Sequence, residues 1–293
     1  MRKYIGEIGL IIIAIIWGSG FVVTSISLDY YSAYQNMAVR FLIGGAILGL
    51  VFYKKLKSVK KETMIKGVIL GAILYLAFAL QTVGLQFTTP SKNAFLTAVN
   101  VVVVPLIGWV MYKKRLDKHE VAGAVLAMLG IAFLSLRFSA ELNIGDILSF
   151  LCAFAFAFHI IYTAKFVSTE DPIHLTVVQL LTAAILGFIV LTFRGELAIP
   201  MVDGAVFSLV YLGVFATAIA FLLQTVAQKF ISETKAAIIL STESFWGMVL
   251  SILVLGEVIT VKMAVGAALI LLAILISETK PRLFRTVPLR EKV

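Results

Sequence analysis

Four side chains are out of character with their surroundings: Arg40, Asn100, His159 and Glu243 each sit inside a long apolar run. If those runs cross a membrane, a carboxylate there costs roughly 3 kcal/mol on insertion scales and is by default a functional candidate. Glu243 lies nine residues into its segment, about 13 Å deep at ~1.5 Å per residue and so near the middle of a ~30 Å hydrocarbon core. It reads in three ways: as a protonated group bonded to Asn100 across two helices, as a proton-coupling site, or as a contact for a bound small molecule. Arg40, nearer the end of its segment, either anchors helices or snorkels to the interface, or attracts a carboxylate. His159, beside Phe158 and Tyr162, has no second ligand at metal-like spacing, so it reads as packed, cavity-lining or a proton relay, and no metal or other cofactor is expected.

Around these four, a wall mixing aromatic surface with a few polar groups would suit a small molecule. The residues that could form it are Trp17, Ser19, Tyr75, Phe78, Asn93, Thr97, Tyr162, Tyr211, Thr217, Ser241 and Trp246. Each also reads as ordinary core. Gln81 and Gln224 need partners in hydrocarbon and read as caps or bridges. An intramembrane enzyme would require paired aspartates, a Gly-x-Ser-Gly serine with histidine, or a His-Glu-x-x-His zinc site; none is present. A channel would require a continuous polar lining, which these apolar segments do not offer.

The elements that must hold these residues follow from composition. With 61% hydrophobic and 14% charged residues among 293, and a mean hydropathy of +1.04, there is too little polar surface to coat a soluble globule. Apolar runs near 5–27, 34–53, 64–85, 91–112, 119–136, 145–165, 173–193, 205–227, 234–255 and 258–277 predict ten membrane-spanning helices. The fold class is all-α, a polytopic integral membrane protein whose first partner is the lipid bilayer. Met1, Arg2 and Lys3 before the first run resemble a signal peptide, but no small-residue cleavage site follows, and the first helix is expected to stay. Cys152 stands alone and excludes a disulfide within the chain. Gly45–Gly49 and Gly67–Gly71 permit close helix contact; they read as packing within one chain, a monomer or a weak homodimer.

The net charge of +9 is not that of a nucleic-acid reader, because the basic residues sit between apolar segments rather than on one water-facing surface. Lys and Arg concentrate in cytoplasmic loops. With the N-terminus inside, only Lys92, Arg137, Arg194 and Lys262 fall outside, and Arg40 falls within a segment. The inside set includes Lys113, Lys114, Arg115 and Lys118, and the basic tail from Lys280 to Lys292. Both termini are expected in the cytoplasm, in a multi-pass protein of the cell membrane.

The halves repeat. At an offset of 143 residues Leu80, Gln81, Thr82 and Val83 fall on Leu223, Gln224, Thr225 and Val226, Lys92 falls on Lys235, and Asn100 on Glu243. Five segments per unit force the second unit into the membrane from the other side. Two inverted repeats are therefore expected, 1–140 and 141–293, with the site between them near the midplane.

Three short motifs accompany this repeat: Trp17, Gly18, Ser19; Phe87, Thr88, Thr89 through Ala94 with Pro105 further on; and Leu255, Gly256, Glu257 followed by Gly266. In that order the chain resembles the drug/metabolite transporter superfamily, specifically its EamA-type members. The resemblance implies a secondary-active carrier of the cytoplasmic membrane, most often an exporter of amino acids or related small metabolites working by alternating access, with protons as a candidate coupling ion. Carriers of organic cations, drugs, vitamins or nucleosides share the fold. Members often carry a Glu-Pro pair in the ninth segment; here Glu243 precedes Ser244, so the kink of that helix is not expected from a proline.

Overall fold

The computed structural model describes residues 2–112, 118–135 and 143–279. The basic cluster at Lys113–Arg115, the tail from Lys280 and the 140/141 repeat boundary lie outside them. Among the described residues there is no strand, and eight helices are long and apolar enough to cross a membrane: Gly6–Ser27, Ala33–Val51, Lys61–Leu85, Pro90–Met111, Ile144–Val167, Pro172–Arg194, Ala205–Gln228 and Glu233–Leu255. Two more helices, Lys118–Ser135 and Val261–Thr279, carry shorter apolar stretches and pack against each other. The chain is a polytopic helical membrane protein. We number these ten described helices in chain order and call each a span for short, eight of them being long and apolar enough to cross a membrane.

Where the connection is described, short loops join successive spans, so those neighbours run antiparallel. Their starts are set by short polar caps: Ser32 with Gln35, Thr89 before Pro90, Asn143, Asp171 before Pro172, and Ser232. Gly195 and Gly256 stop spans seven and nine in the left-handed conformation at φ 67° and 66°, which glycine adopts without a Cβ clash. Span three lies on spans six and seven, span two on seven, span one on eight and nine, span four on six and nine, and span five on ten. Close approach is built from glycine: a Cβ on Gly67 would meet Val178 at 2.5 Å, and one on Gly71 would meet the Gln179 carbonyl at 2.5 Å. The glycine spacings thus serve contacts between spans three and seven of one chain.

Both ends of the bundle are tied by polar pairs. At one end Ser32 donates to Glu196 at 2.6 Å, Lys92 pairs with Asp146 at 3.4 Å, and Thr88 donates to Asp146 at 2.5 Å. At the other, Lys235 pairs with Glu7 at 2.5 Å, Lys55 with Asp171 at 2.7 Å, and Lys66 with Glu170 at 2.6 Å. The Lys66 ammonium, with the Thr63 hydroxyl, holds the Glu170 carboxyl below the usual carboxylate range. Burial pushes the Asp171 carboxyl the other way, but Lys55 and the backbone N–H groups of His174 and Ile173 outweigh it and leave it lowered.

Three spans are irregular. Span four breaks at Val99, between Pro90–Ala98 and Asn100–Tyr112, just before the Val101 carbonyl that Pro105, having no N–H, leaves without its helical donor. Span nine breaks at Thr242, between Glu233–Ser241 and Glu243–Leu255, with no proline. Hydroxyls do the work there: Ser241 donates to the Ile238 carbonyl at 2.7 Å, Thr242 to Ile239 at 2.7 Å, and Ser244 to Ser241 at 2.8 Å. Side-chain donors that satisfy carbonyls three residues back replace the helical ladder and let it part. The absent Glu-Pro pair therefore does not remove the break. Span eight contains a π-helical turn, Val214–Ile219.

Candidate functional site

These irregularities converge on one cavity. It is lined by both halves of the chain, from Trp17, Arg40, Phe78, Gln81, Asn93, Thr97 and Asn100 to Phe156, His159, Phe221, Gln224 and Glu243, with about 660 Å³ of atom-free space when the open solvent at its mouth is included. Asn100 and Glu243 are each the first residue after a break, so the two interruptions set both side chains on the cavity wall.

Arg40 is only 3% exposed. Its Nε donates to the Thr217 hydroxyl at 3.0 Å, and its guanidinium carbon stands 4.6 Å from the centre of the Phe78 ring. It does not snorkel, because these two contacts hold it under span eight. Thr217 sits in the π turn, and a Cβ on Gly44 would lie 2.7 Å from its methyl group, so the bare glycine lets spans two and eight close until the bond forms. The Trp17 indole donates to the Ala216 carbonyl in the same turn at 2.9 Å.

The aromatic wall is continuous. Trp17 and Phe221 have ring centres 5.1 Å apart, Phe78 and Phe156 5.4 Å, Phe78 and Phe221 6.0 Å. On the amide side, Asn93 donates to Ser149 at 2.7 Å and to the Gln81 carbonyl at 3.0 Å, and Gln81 donates to Thr97 at 3.2 Å. Gln81 thus bridges spans three and four while facing the cavity. The side-chain oxygens of Asn93, Asn100 and Gln224 are buried without a donor. His159 Nε2 bonds to Gln179 at 2.8 Å, fixing the ring as part of the wall, and among the described residues no group of His, Cys, Asp or Glu could hold a metal ion. No hydrogen bond links Asn100 to Glu243.

Of the residues named from sequence, the structure brings Trp17, Arg40, Phe78, Asn93, Thr97, Asn100, His159 and Glu243 to this cavity. The others lie elsewhere. Ser19 bonds to Tyr211 at 2.5 Å, tying span one to span eight. Thr217 is wholly buried behind Arg40. The Ser241 hydroxyl is consumed by the break, Trp246 fills the space left by Gly18, Tyr75 packs in the Met37–Phe41–Phe78 core, and Tyr162 stacks near Phe166. Sequence reasoning missed Gly20, Phe21, Thr24, Leu85, Phe156, Ile160, Ala216, Phe221 and Leu240 on the wall; nothing in their types separates them from core. Gln81 and Gln224, which read from sequence as caps or bridges, both lie on the wall.

The model of the EamA-like transporter family matches the chain twice, over residues 4–136 and 143–279. The chain belongs to the EamA-like transporter family. A relative in Archaeoglobus fulgidus named as an uncharacterized transporter is 34% identical over 276 residues, covering 94% of this chain and 86% of the relative. The uncharacterized transporters YyaM and YoaV of Bacillus subtilis are each 23% identical, over 89% and 90% of this chain and 90% and 93% of their own lengths. A solved crystal structure shares the fold at a TM-score of 0.72 with 15% identity, covering 94% of this chain and 97% of that one. Membership makes this chain a membrane transporter.

Proposed function

We propose that this transporter is a secondary-active carrier of the cytoplasmic membrane, with both termini inside, which exports amino acids or related small metabolites by alternating access. The halves 1–140 and 141–293 act as inverted repeats. The observation that carries this reading is a pair of matched ion pairs at opposite ends. Lys92, three residues after its cap Thr89, meets Asp146 at the start of span six; Lys235, three residues after its cap Ser232, meets Glu7 at the start of span one. An offset of 143 takes one lysine, its cap and the following helix break into the other.

Exchanging the halves also turns the packing of span four on six into that of nine on one, and of three on six into eight on one. With the Lys235 end facing the cytoplasm, Lys235–Glu7 closes the inside and Lys92–Asp146 the outside. Opening one while the other holds exposes the central cavity to one face at a time. Glu243, a buried acid on that cavity, is the coupling group, taking up and releasing a proton as access alternates.

Counterflow in proteoliposomes tests the carrier reading: liposomes preloaded with an amino acid should take up the same labelled amino acid transiently and saturably. Uptake that rises linearly without limit for every amino acid tried overturns it. Glu243→Gln should leave counterflow intact and abolish uptake driven by a pH gradient. An unchanged pH dependence rules out the coupling role.

A further inference from the structure

We propose that Arg40 is the anion subsite of the central cavity and that it takes the carboxylate of a substrate whose body is a flat apolar ring. The inference rests on the carrier reading and adds to it the acidic group that the cavity recognises.

Arg40 pairs with no carboxylate among the described ion pairs. It is 97% buried by its 3% exposure and keeps its proton across the physiological range. A buried cation without a counter-ion is costly, and proteins retain one where an anion arrives from outside. Its surroundings orient it without neutralising it. Thr217 occupies Nε at 3.0 Å and Phe78 covers the guanidinium at 4.6 Å, leaving the paired terminal nitrogens, the edge that matches a carboxylate with two parallel hydrogen bonds.

Arg40 belongs to the lining of the central cavity, and the ring that covers it opens an aromatic wall. Phe78 touches Phe156 and Phe221, and Phe221 touches Trp17. A flat ring stacked on these faces, with its carboxylate against Arg40, would use both features at once. The rest of the polar wall, Glu243 and the amides of Gln81, Asn93, Asn100 and Gln224 among it, carries no lysine or further arginine, so the acidic group of a ligand is directed to Arg40.

Thermal unfolding of the purified protein in a phenylacetate concentration series tests this against three controls: phenethylamine, 2-phenylethanol, and sodium chloride at equal ionic strength. Phenylacetate alone should raise the midpoint, by roughly 3 °C once it exceeds its Kd about tenfold, and Arg40→Gln should abolish the shift. Should Arg40→Gln fail to fold, Arg40→Lys decides: it keeps the charge and loses the two-point contact, so the apparent affinity should fall about tenfold. No shift with phenylacetate, an equal shift with the amine, alcohol or chloride, or an undiminished shift in the folded variant overturns the subsite. Absence of phenylacetate binding in a protein that still performs counterflow overturns this assignment alone; absence of counterflow overturns the carrier reading beneath it.

Discussion

The two ends of the molecule use the same device in different surroundings. Lys92–Asp146 is dry, with side chains 16% and 2% exposed, and a threonine donates to the same carboxylate; Lys235–Glu7 is wetter, at 43% and 21%. Repetition placed a lysine behind a hydroxyl cap at both sites, but the packing around each decides its strength. A dry pair resists opening because separation leaves charge in a poor solvent, whereas a wet pair exchanges its partner for water at small cost. On the carrier reading proposed above, the drier Lys92 end is the face expected to stay sealed and the Lys235 end the one expected to open first.

The largest effect expected from breaking this comparison is at the dry end. Asp146→Asn leaves Lys92 without its counter-ion and should cost about 3 kcal/mol or more, read as a lowered unfolding midpoint. A proline scan sharpens the matching comparison between spans four and nine. Because span nine already breaks at Thr242, Ser244→Pro should cost less than about 1 kcal/mol, against roughly 3 kcal/mol for Ile160→Pro within unbroken span six. A large loss for Ser244→Pro would mean that the hydroxyl bonds, rather than a tolerance for interruption, hold that region. Glu7→Gln at the wet end should cost under about 1 kcal/mol. Smallest is the pH response of the Lys66–Glu170 contact. Since the Glu170 carboxyl is held low, its contribution is complete above the ordinary carboxylate range and is lost as pH falls through the lowered value. Acid unfolding profiles of the wild type and Glu170→Gln should converge at low pH and separate above it.

Much of this was legible in the sequence because hydrocarbon imposes simple rules. Apolar runs located the helices to within a few residues. The 143-residue offset aligned Lys92 with Lys235 and Asn100 with Glu243, the positions at which the structure then shows the two ion pairs and the two breaks. The cavity was most legible where polarity violated its surroundings, at Arg40, Asn100, His159 and Glu243; Trp17, Phe78, Asn93 and Thr97 were named as well, but among residues that lie elsewhere. Phe156 and Phe221 were hidden among other phenylalanines, since lining a cavity and filling a core demand the same residue type. The break in span nine was missed because the sequence was searched for a proline, while Ser241, Thr242 and Ser244 part the helix by bonding backward. Arg40 reads from sequence as a helix anchor, a snorkelling side chain or a carboxylate contact, because its depth along the helix is visible there, but the glycine contact that draws Thr217 to it is not.

The central claim, that the two ends open in turn around one cavity, is tested most directly by distances at both ends of the same molecule. Spin labels on exposed Tyr30 and Val258 report the Lys92 end, and labels on exposed Lys57 and Lys229 the Lys235 end, in a Cys152→Ser background in lipid nanodiscs. Glu7→Gln should lengthen the Lys57–Lys229 distance while the Tyr30–Val258 distance stays short, and Asp146→Asn should do the reverse. Distances that ignore both substitutions, or ends that widen together, would contradict it.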